Sequence, residues 1–548
     1  YPRVEDGGDK PYQSIETYFC TNCMQVVQGN DEQEGYCASC GKKMIPVYLV
    51  RPANHGHEGQ QQYECPCCGS KRGLALMGLR SATEISTMIS QLMASRFNDD
   101  KKTLAFSDSV QDAAHRAGFF NSRTWRFGLR GSVQQYVKNG GDGQSLTDFC
   151  TGFIQYYHEK LSDEEFISRF VAPNMIWMRA YERMKEQRKL GHDKDAKELM
   201  YYIEQRLKYE IMLEYGLTGR LGRTLEKSGC SVLAFHSEDI DHIAEIVQMR
   251  MINEQGQFTQ APVEAFQQMV VGFLNRMRMN GAFDDPIFHE FVANYGKSFM
   301  LSNKRYRWLP GIQAGRALPH HVVETKSKSG SVGYSYDSIV SMKYTRWVDF
   351  CYYEVGESEQ CAEYVNRYIL EEAVKIGLIK VLERSPEDCL VYGLNKDRVY
   401  ITSQVRQMRC AACGTVQPVP LDNLDYWQEA PCSRQKCGGH ILEDAKAGLN
   451  YYGVLYNQGD IIRVHAREHT GLLSRSAHEE LEEDFKRKAQ HDRKPWDPNV
   501  LSCTPTLEMG IDIGDLSTVI LCSMPPTQSQ FLQRTGRAGR KDGNALAL

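Results

Sequence analysis

Short apolar runs alternate with amphipathic stretches in the C-terminal part of the chain, and this alternation restricts the fold more than any other feature. Val500–Cys503 and residues 519–522 are apolar runs of strand length, and a helix is predicted over residues 477–488. Strands buried on both faces of a parallel sheet form such continuous apolar runs, with helices between them. We therefore predict an α/β fold for residues 446–548.

A further strand-and-helix pair lies far upstream. Residues 102–106 are an apolar run followed by the small polar residues Ser107 and Ser109, and a helix is predicted to begin at Gln111. Ligands meet an open α/β sheet at the carboxyl ends of its strands, where helix N-termini present unpaired N–H groups. Ser107 and Ser109 would therefore suit a phosphate of a nucleic-acid backbone. An ordinary strand-to-helix corner is the alternative that this pattern leaves open.

An arginine-rich octet, Gln-Arg-Thr-Gly-Arg-Ala-Gly-Arg, occupies residues 533–540. Its two glycines have no side chain, so the backbone can come close to a ligand while the guanidinium groups of the arginines project from it. A guanidinium placed against a phosphoryl group in transfer stabilises the charge on the phosphoryl oxygens. The alternative is a set of surface ion pairs. Thr504 and the Gly-Ile-Asp segment 510–512 lie a short way upstream, and with them the octet favours phosphoryl-transfer chemistry.

These segments resemble a known family. Residues 504–512 resemble motif V of superfamily 2 helicases, and residues 533–540 resemble their motif VI. Residues 106–119, 468–471 and 504–516 are similar to one branch, the large bacterial helicases related to the MrfA/YprA repair helicase and those of the DISARM and Druantia phage-defence systems. The resemblance implies a second RecA-like motor domain that works with ATP, Mg²⁺ and DNA, commonly in the 3′→5′ direction. It also implies a role in anti-phage defence or DNA repair, with other defence-system subunits as further partners.

The resemblance assigns roles to individual positions. Arg537 and Arg540 would be catalytic and face the γ-phosphate of ATP as arginine fingers. The positions implied to bind the nucleotide are Gly510, Asp512, Gln533 and Arg534. The positions implied to hold phosphates of the tracking strand are Ser107, Ser109, His469, Thr470, Gly471 and Thr504.

The other half of such an ATP site is not found in this sequence. No G-x-x-x-x-G-K-[S/T] segment occurs, and no strand ends in D-E-x-H or D-E-x-D. The ATP site of these motors lies between two RecA-like lobes, so we predict that the chain alone is inactive as an ATPase and is completed by the first lobe of the same protein. The start at Tyr1 without Met, and an end within a predicted strand, indicate a fragment. The alternative function is a non-catalytic DNA-binding or scaffold module with a degenerate motor lobe.

Paired cysteines predict structural zinc. The chain has eighteen cysteines, many of them in C-x-x-C pairs, and no export signal, which favours metal binding in a reducing compartment, the cytoplasm. Two such pairs supply the tetrahedral thiolate site that Zn²⁺ prefers. The predicted ligand sets are Cys20, Cys23, Cys37 and Cys40; Cys410, Cys413, Cys432 and Cys437; and Cys65 and Cys68 with His55 and His57. For the third set, the alternative is that both histidines are ordinary loop residues.

The two parts of the α/β domain are separated by a long, mostly helical insertion. Helices are predicted over 263–279 and 364–382, followed by strands over 390–392 and 398–401. A helix followed by a hairpin suits a winged helix, and a plain α+β core is equally consistent. The net charge is −4, so any nucleic-acid surface must be local, and no apolar run is long enough to span a membrane.

The predicted organisation has five parts. These are a zinc-ribbon region (1–75), the first part of the RecA-like domain (76–130), the helical insertion (131–400), a second zinc ribbon (401–445) and the remainder of the RecA-like domain (446–548).

Overall fold

The computed structural model describes most of the chain. The described residues are 12–20, 22–23, 25–28, 36–52, 81–95, 98, 100–219, 223–258, 260–312, 317–324, 336–351, 359–384, 389–432, 437–445, 448–458, 461–487, 493–505, 516–539 and 545–548. Among them, no helix combines the length and the apolar character that crossing a membrane requires.

Short strands and longer helices follow one another along the chain. The strands are β1 (Tyr12–Phe19), β2 (Val26–Gln28), β3 (Ile45–Pro52), β4 (Thr103–Phe106), β5 (Val232–Phe235), β6 (His321–Val323), β7 (Tyr336–Ser338), β8 (Ile379–Arg384), β9 (Leu390–Leu394), β10 (Val399–Thr402), β11 (Val405–Cys410), β12 (Val416–Pro420), β13 (Ile441–Glu443), β14 (Ala466–His469), β15 (Val500–Cys503), β16 (Thr518–Leu521) and β17 (Leu546–Ala547). The α-helices are α1 (Ser81–Ala94), α2 (Val110–Tyr136), α3 (Leu146–Lys160), α4 (Asp163–Phe170), α5 (Arg179–Gln187), α6 (Lys194–Glu214), α7 (Ser237–Gln255), α8 (Val263–Met279), α9 (Pro286–Ala293), α10 (Met342–Cys351), α11 (Glu359–Lys375), α12 (Leu424–Trp427), α13 (Tyr451–Asn457), α14 (Arg475–Lys486) and α15 (Gln528–Thr535).

A five-stranded parallel sheet joins the two predicted parts of the α/β domain. Its strand order is β14-β15-β4-β16-β17, and every neighbouring pair is parallel. β4 is the central strand, although the chain from α2 to α13 lies between it and β14 in the sequence. The predicted fold class is confirmed: a RecA-like parallel sheet is interrupted by a long, mostly helical insertion.

Helices cover both faces of this sheet. Successive side chains of a strand point to opposite faces, so neighbouring residues of β4 pack against different helices. Ala105 of β4 packs in one cluster with Phe120 of α2 and with apolar side chains of α1. Leu104 packs on the other face, in a cluster that contains Phe485 of α14. All four residues of β4 are buried, as expected for the centre of a parallel sheet.

The insertion contains both predicted helices, and both boundaries of the second, which begins at Glu359 and not at residue 364, are wrong. α8 spans Val263–Met279 as predicted. The helix predicted over 364–382 is α11, which ends at Lys375. Gly377 follows with a φ of +77°, a left-handed conformation that commonly ends a helix, and the chain then enters β8.

The hairpin after α11 is not the predicted one. β9 pairs with β8 and β6, whereas β10 pairs with β5 in a different sheet. Val399 and Ile401 of β10 are fully buried, so tertiary packing and not the turn between β9 and β10 decides the pairing. The antiparallel hairpin is β8–β9, and β6 adds a third antiparallel strand. The hairpin on which the predicted winged helix depended is therefore wrong, and the winged helix itself stays a prediction.

His321 on β6 is predicted to make the stability of the sheet formed by β6, β7, β8 and β9 depend on pH. Its ring is fully buried, its Nε2 lies 3.1 Å from the carbonyl oxygen of Phe283, and burial lowers its pKa to about 4. An unfolded histidine titrates near pH 6.5. The unfolded chain therefore takes up the proton first, and stability that is complete above pH 6.5 is lost as the pH falls toward 4, by up to about 3 kcal/mol.

Urea unfolding at several pH values measures this loss. His321→Gln should unfold with a smaller pH dependence than the unaltered chain, whereas the partly exposed control His158→Gln should keep the full dependence. Equal pH dependence in all three chains would contradict the prediction.

A buried ion pair fixes α8 to the segment before β5. The guanidinium nitrogens of Arg278 lie 2.6 and 3.0 Å from the carboxylate oxygens of Glu226, and both side chains are less than 5% exposed. Removing one partner leaves an uncompensated buried charge, so Glu226→Ala should lower the free energy of unfolding by about 3–5 kcal/mol. Glu479→Ala breaks the exposed pair with Arg475 and should leave it almost unchanged. Denaturant unfolding of both variants checks the difference, and equal effects would refute it.

A separate compact unit contains the described residues before Leu79 together with Cys410–Thr415 and Cys432–His440. In it, β1 pairs antiparallel with β2 and with β3. The hydroxyl of Thr17 donates to the carbonyl oxygen of Val47 at 3.0 Å and ties β1 to β3. The other two segments of this unit, Cys410–Thr415 and Cys432–His440, each contain two cysteines.

Candidate motor site and metal centres

The carboxyl ends of parallel strands meet at one edge of the five-stranded sheet, and the backbone ladder continues past them. The N–H of Ser107 donates to the carbonyl oxygen of Cys503 at 2.8 Å, and the N–H of Thr504 donates to that of His469 at 3.3 Å. The segments that follow β4, β14 and β15 therefore lie side by side. This edge is where open α/β sheets bind their ligands.

Most side chains predicted to hold a nucleic-acid strand are enclosed at this edge. Ser107, His469, Thr470 and Thr504 are 0%, 0%, 1% and 5% exposed. Ser109 and Gly471 are exposed, and the Ser109 hydroxyl accepts a hydrogen bond from the N–H of Asp112 at 3.1 Å, capping α2. Direct contact between the four enclosed side chains and a strand stays a prediction, and it requires the edge to open.

Arg534 connects the arginine-rich octet to the segment after β4. It is 1% exposed, its Nη1 lies 3.5 Å from Asp108 Oδ1, and its guanidinium lies 5.6 Å from the centre of the Phe106 ring. A buried guanidinium needs such a partner, because an unpaired buried charge is strongly destabilising. Asp108 also accepts a hydrogen bond from the hydroxyl of Ser523. Asp108 was not predicted from the sequence, although its place close after a buried strand was the available signal.

The other residues of the octet differ in their surroundings. Gln533 is exposed, whereas Arg537 is only 6% exposed. A guanidinium that meets ATP between two domains has to reach the surface of its own domain. Arg537 would therefore have to turn outward to act as an arginine finger, and that role stays a prediction. The predicted site residues Arg540, Gly510 and Asp512 lie outside the described residues.

The first predicted cysteine set forms a compact cluster. The Sγ atoms of Cys20 and Cys40 are 3.4 Å apart, and those of Cys23 and Cys37 are 3.2 Å apart. Gly41 follows Cys40 with a φ of +67°, and its N–H donates to the carbonyl oxygen of Cys37 at 2.8 Å. This left-handed glycine lets the chain fold back so that both thiols of the pair point inward.

The second predicted set repeats this arrangement. The Sγ atoms of Cys410 and Cys437 are 3.6 Å apart, and those of Cys413 and Cys432 are 3.7 Å apart. Gly414 has a φ of +66°, and its N–H donates to the carbonyl oxygen of Cys410 at 2.9 Å. The wider spacing of the last cysteine pair therefore still closes a four-thiol cluster.

Both clusters fit Zn²⁺ in ligand number and chemistry. In each, all four sulfur atoms lie within 4.8 Å of one another. Backbone N–H groups of Cys23 and Asn22 lower the pKa of the Cys20 thiol to about 6. Burial acts to raise the pKa of Cys413, but hydrogen bonds from Thr415 outweigh it and lower the pKa to about 6. In the same clusters, a hydrogen bond from the Gln25 backbone lowers the pKa of Cys23, but hydrogen bonds with neighbouring thiols outweigh it and raise the pKa to about 12, and burial raises the pKa of Cys437. Thiolates are the form that binds metal, so binding of Zn²⁺ would release the protons of these two thiols. The third predicted set, Cys65, Cys68, His55 and His57, lies outside the described residues.

The C-terminal segment matches a known protein family. The family model of the helicase conserved C-terminal domain covers residues 446–542, which include β14, β15, β16 and the arginine-rich octet. The chain carries a superfamily 2 helicase C-terminal domain. This domain is the continuous part of the parallel sheet, and β4 completes it from upstream.

Individual helicases are similar to a part of the chain. Druantia protein DruE of Escherichia coli is 41% identical over 103 residues, which is 17% of this chain and 6% of that protein. The ATP-dependent helicase HRQ1 of Saccharomyces cerevisiae is 47% identical over 45 residues, 8% of this chain and 4% of that protein. An uncharacterised ATP-dependent helicase of Methanocaldococcus jannaschii is 42% identical over 79 residues, 14% of this chain and 10% of that protein. The aligned part of this chain thus spans no more than a tenth of these relatives, and no solved structure matches the chain.

The helicase domain also brings three potential metal-binding side chains together in one place. His469 Nε2, at the end of β14, lies 3.1 Å from Glu482 Oε1 and 3.1 Å from His478 Nδ1, both on α14. Burial lowers the pKa of His469. His469 was among the residues predicted from the sequence, and the other two were not. The four-residue spacing of His478 and Glu482 on a predicted helix was the signal that could have found them, because it places both on one face.

Proposed function

We propose that the chain supplies the second motor domain of an ATP-dependent superfamily 2 DNA helicase or translocase. The observation that carries the proposal is the sheet itself. β4 lies between β15 and β16, so the segment after β4 belongs to the same domain as the strands that precede the motif V and motif VI segments. The contact between Arg534 and Asp108 supports it, since it joins the octet to the segment after β4.

ATP and Mg²⁺ would be bound between this domain and the first motor lobe of the same protein. The sequence has no phosphate-binding loop of its own, so the lobe that carries it is a required partner. From this side, Arg537 and Arg540 would stabilise charge on the transferred phosphoryl group, and Gly510, Asp512, Gln533 and Arg534 would respond to the nucleotide. Arg537 is buried in its own domain, so its side chain would turn outward to ATP as the two lobes close.

DNA would run along the edge that carries Ser109 and Gly471, the two exposed members of the predicted strand contacts. The cysteine clusters would be structural zinc sites in a protein of the cytoplasm, where thiols stay reduced. We place the complete protein in anti-phage defence or DNA repair, with other defence-system subunits as partners, because Druantia protein DruE is among the similar helicases.

A non-catalytic DNA-binding or scaffold module is the second candidate. The enclosure of Arg537 is the specific observation that favours it, since a side chain held inside its own domain cannot act on ATP.

Steady-state ATP hydrolysis by the 548-residue chain is measured with and without DNA. It distinguishes a half-site or a non-catalytic module from an enzyme that hydrolyses ATP by itself. We expect no turnover above background in either case, together with DNA binding that weakens as salt is raised. Turnover at ordinary helicase rates would overturn the proposal of a half-site. Absence of DNA binding would overturn the placement of the strand at this edge.

A further inference from the structure

Three potential metal ligands converge between β14 and α14, with no cysteine among them. His469 Nε2, His478 Nδ1 and a carboxylate oxygen of Glu482 lie within 4.8 Å of one another. His469 ends a strand and is fully buried, whereas His478 and Glu482 are partly exposed on a helix. The two histidine rings are 4.5 Å apart at 71°, so they do not stack and both direct a nitrogen to the same point.

Hydrogen bonds alone leave this cluster poorly satisfied. A nitrogen of a neutral imidazole either donates or accepts. If Nε2 of His469 donates to Glu482, its single hydrogen has to be shared with Nδ1 of His478, which lies equally near at 3.1 Å. If Nε2 instead accepts from His478, its lone pair faces a carboxylate oxygen. One cation placed among the three atoms satisfies all of them at once.

The ligand types indicate which cation this is. Two imidazoles and one carboxylate are a set that Zn²⁺ uses where three protein ligands leave a further position for water. Imidazole suits Zn²⁺ and its neighbours in the transition series better than it suits Ca²⁺ or Mg²⁺, which take oxygen ligands.

We propose that His469, His478 and Glu482 form a binding site for a divalent transition-metal ion, with Zn²⁺ as the expected occupant. The ion would join the end of β14 to α14 and so fix the connection between them, residues 470–474. This connection includes Thr470 and Gly471, so the site would hold the chain segment from which strand contact is predicted. The proposal concerns the metal alone and does not depend on ATP hydrolysis.

Metal analysis of the 548-residue chain after gel filtration in chelator-free buffer provides the first test. We expect His478→Gln to contain about one Zn²⁺ per chain less than the unaltered protein. His158→Gln is the matched control, because His158 Nε2 also faces a carboxylate, Glu204 Oε1 at 3.2 Å, but belongs to no three-ligand cluster among the described residues. Equal zinc content in all three proteins, or an equal loss in the control, would overturn the proposal.

Titration with Co²⁺ gives a readout that a purely structural histidine would not affect. With the cysteine sites filled by Zn²⁺, Co²⁺ bound to nitrogen and oxygen ligands should give visible absorption without the thiolate charge-transfer bands. This absorption should be lost in His478→Gln and regained in His478→Asp, which restores a ligand. If His478→Gln does not fold, the Co²⁺ titration of the unaltered chain is sufficient as a test. Absence of this absorption from the unaltered chain would overturn the proposed site.

Discussion

Replacing Arg540 by alanine in the complete protein is expected to lower ATP turnover by about 10³-fold or more, while DNA affinity stays within a few-fold. The octet resembles motif VI, in which this arginine meets charge that develops on the phosphoryl group. Such an interaction is made only in the transition state, so its loss appears in kcat and not in binding of the strand. Arg537→Lys should have a similar effect, because lysine keeps the charge but lacks the planar fork of guanidinium donors.

The control for these variants is Arg475→Ala on α14. Arg475 is highly exposed, and its guanidinium pairs with Glu479 one turn away on the same helix. It should leave both turnover and DNA affinity unchanged. If Arg540→Ala kept normal turnover, the octet would not contribute to an ATP site. This chain would then be a DNA-binding or scaffold module of a protein whose ATP site does not use the octet.

Loss of one cysteine from the second cluster is expected to unfold the ribbon around it. Structural zinc sites contribute on the order of 10 kcal/mol of folding free energy, more than the total stability of many domains. In Cys413→Ser, the chain should lose about one Zn²⁺, and the segments around Cys410 and Cys437 should become sensitive to protease. The parallel sheet has its own core on both faces and should stay folded.

Cys389→Ser is the matched control for the ribbon, because Cys389 is also partly exposed but belongs to neither four-cysteine cluster. Zinc content and limited proteolysis of both variants make the comparison, with circular dichroism as a check on the rest of the fold. Unchanged zinc content in Cys413→Ser would contradict the assignment of this cluster as a metal centre.

The features that the sequence predicted correctly are those with a strong local signal. The run Thr103–Phe106 is apolar on both faces, and so it can only be a buried strand flanked by helices. The C-x-x-C pairs set two thiols on one turn, and the left-handed glycine after Cys40 or Cys413 is visible in the sequence itself. In both cases a few neighbouring residues determine the geometry.

The features that were missed depend on partners distant in the sequence. The turn between β9 and β10 gives no sign that the two strands diverge, because β10 finds its partner in β5, far upstream. The same holds for the edge of the sheet: a motif shows which residues follow a strand, but not that His469 is enclosed or that Arg534 meets Asp108. Burial and pairing of these side chains follow only from the assembled domain.

ATP hydrolysis upon mixing the 548-residue chain with the separately produced first motor lobe is the decisive measurement for the proposed half-site. We predict that neither component hydrolyses ATP alone. DNA-dependent turnover should appear on mixing and rise with added chain until it saturates, and a mixture with the Arg540→Ala chain should stay inactive. Turnover by the chain alone, or equal turnover with the unaltered and the Arg540→Ala chain, would contradict the conclusion that this domain supplies half of an ATP site.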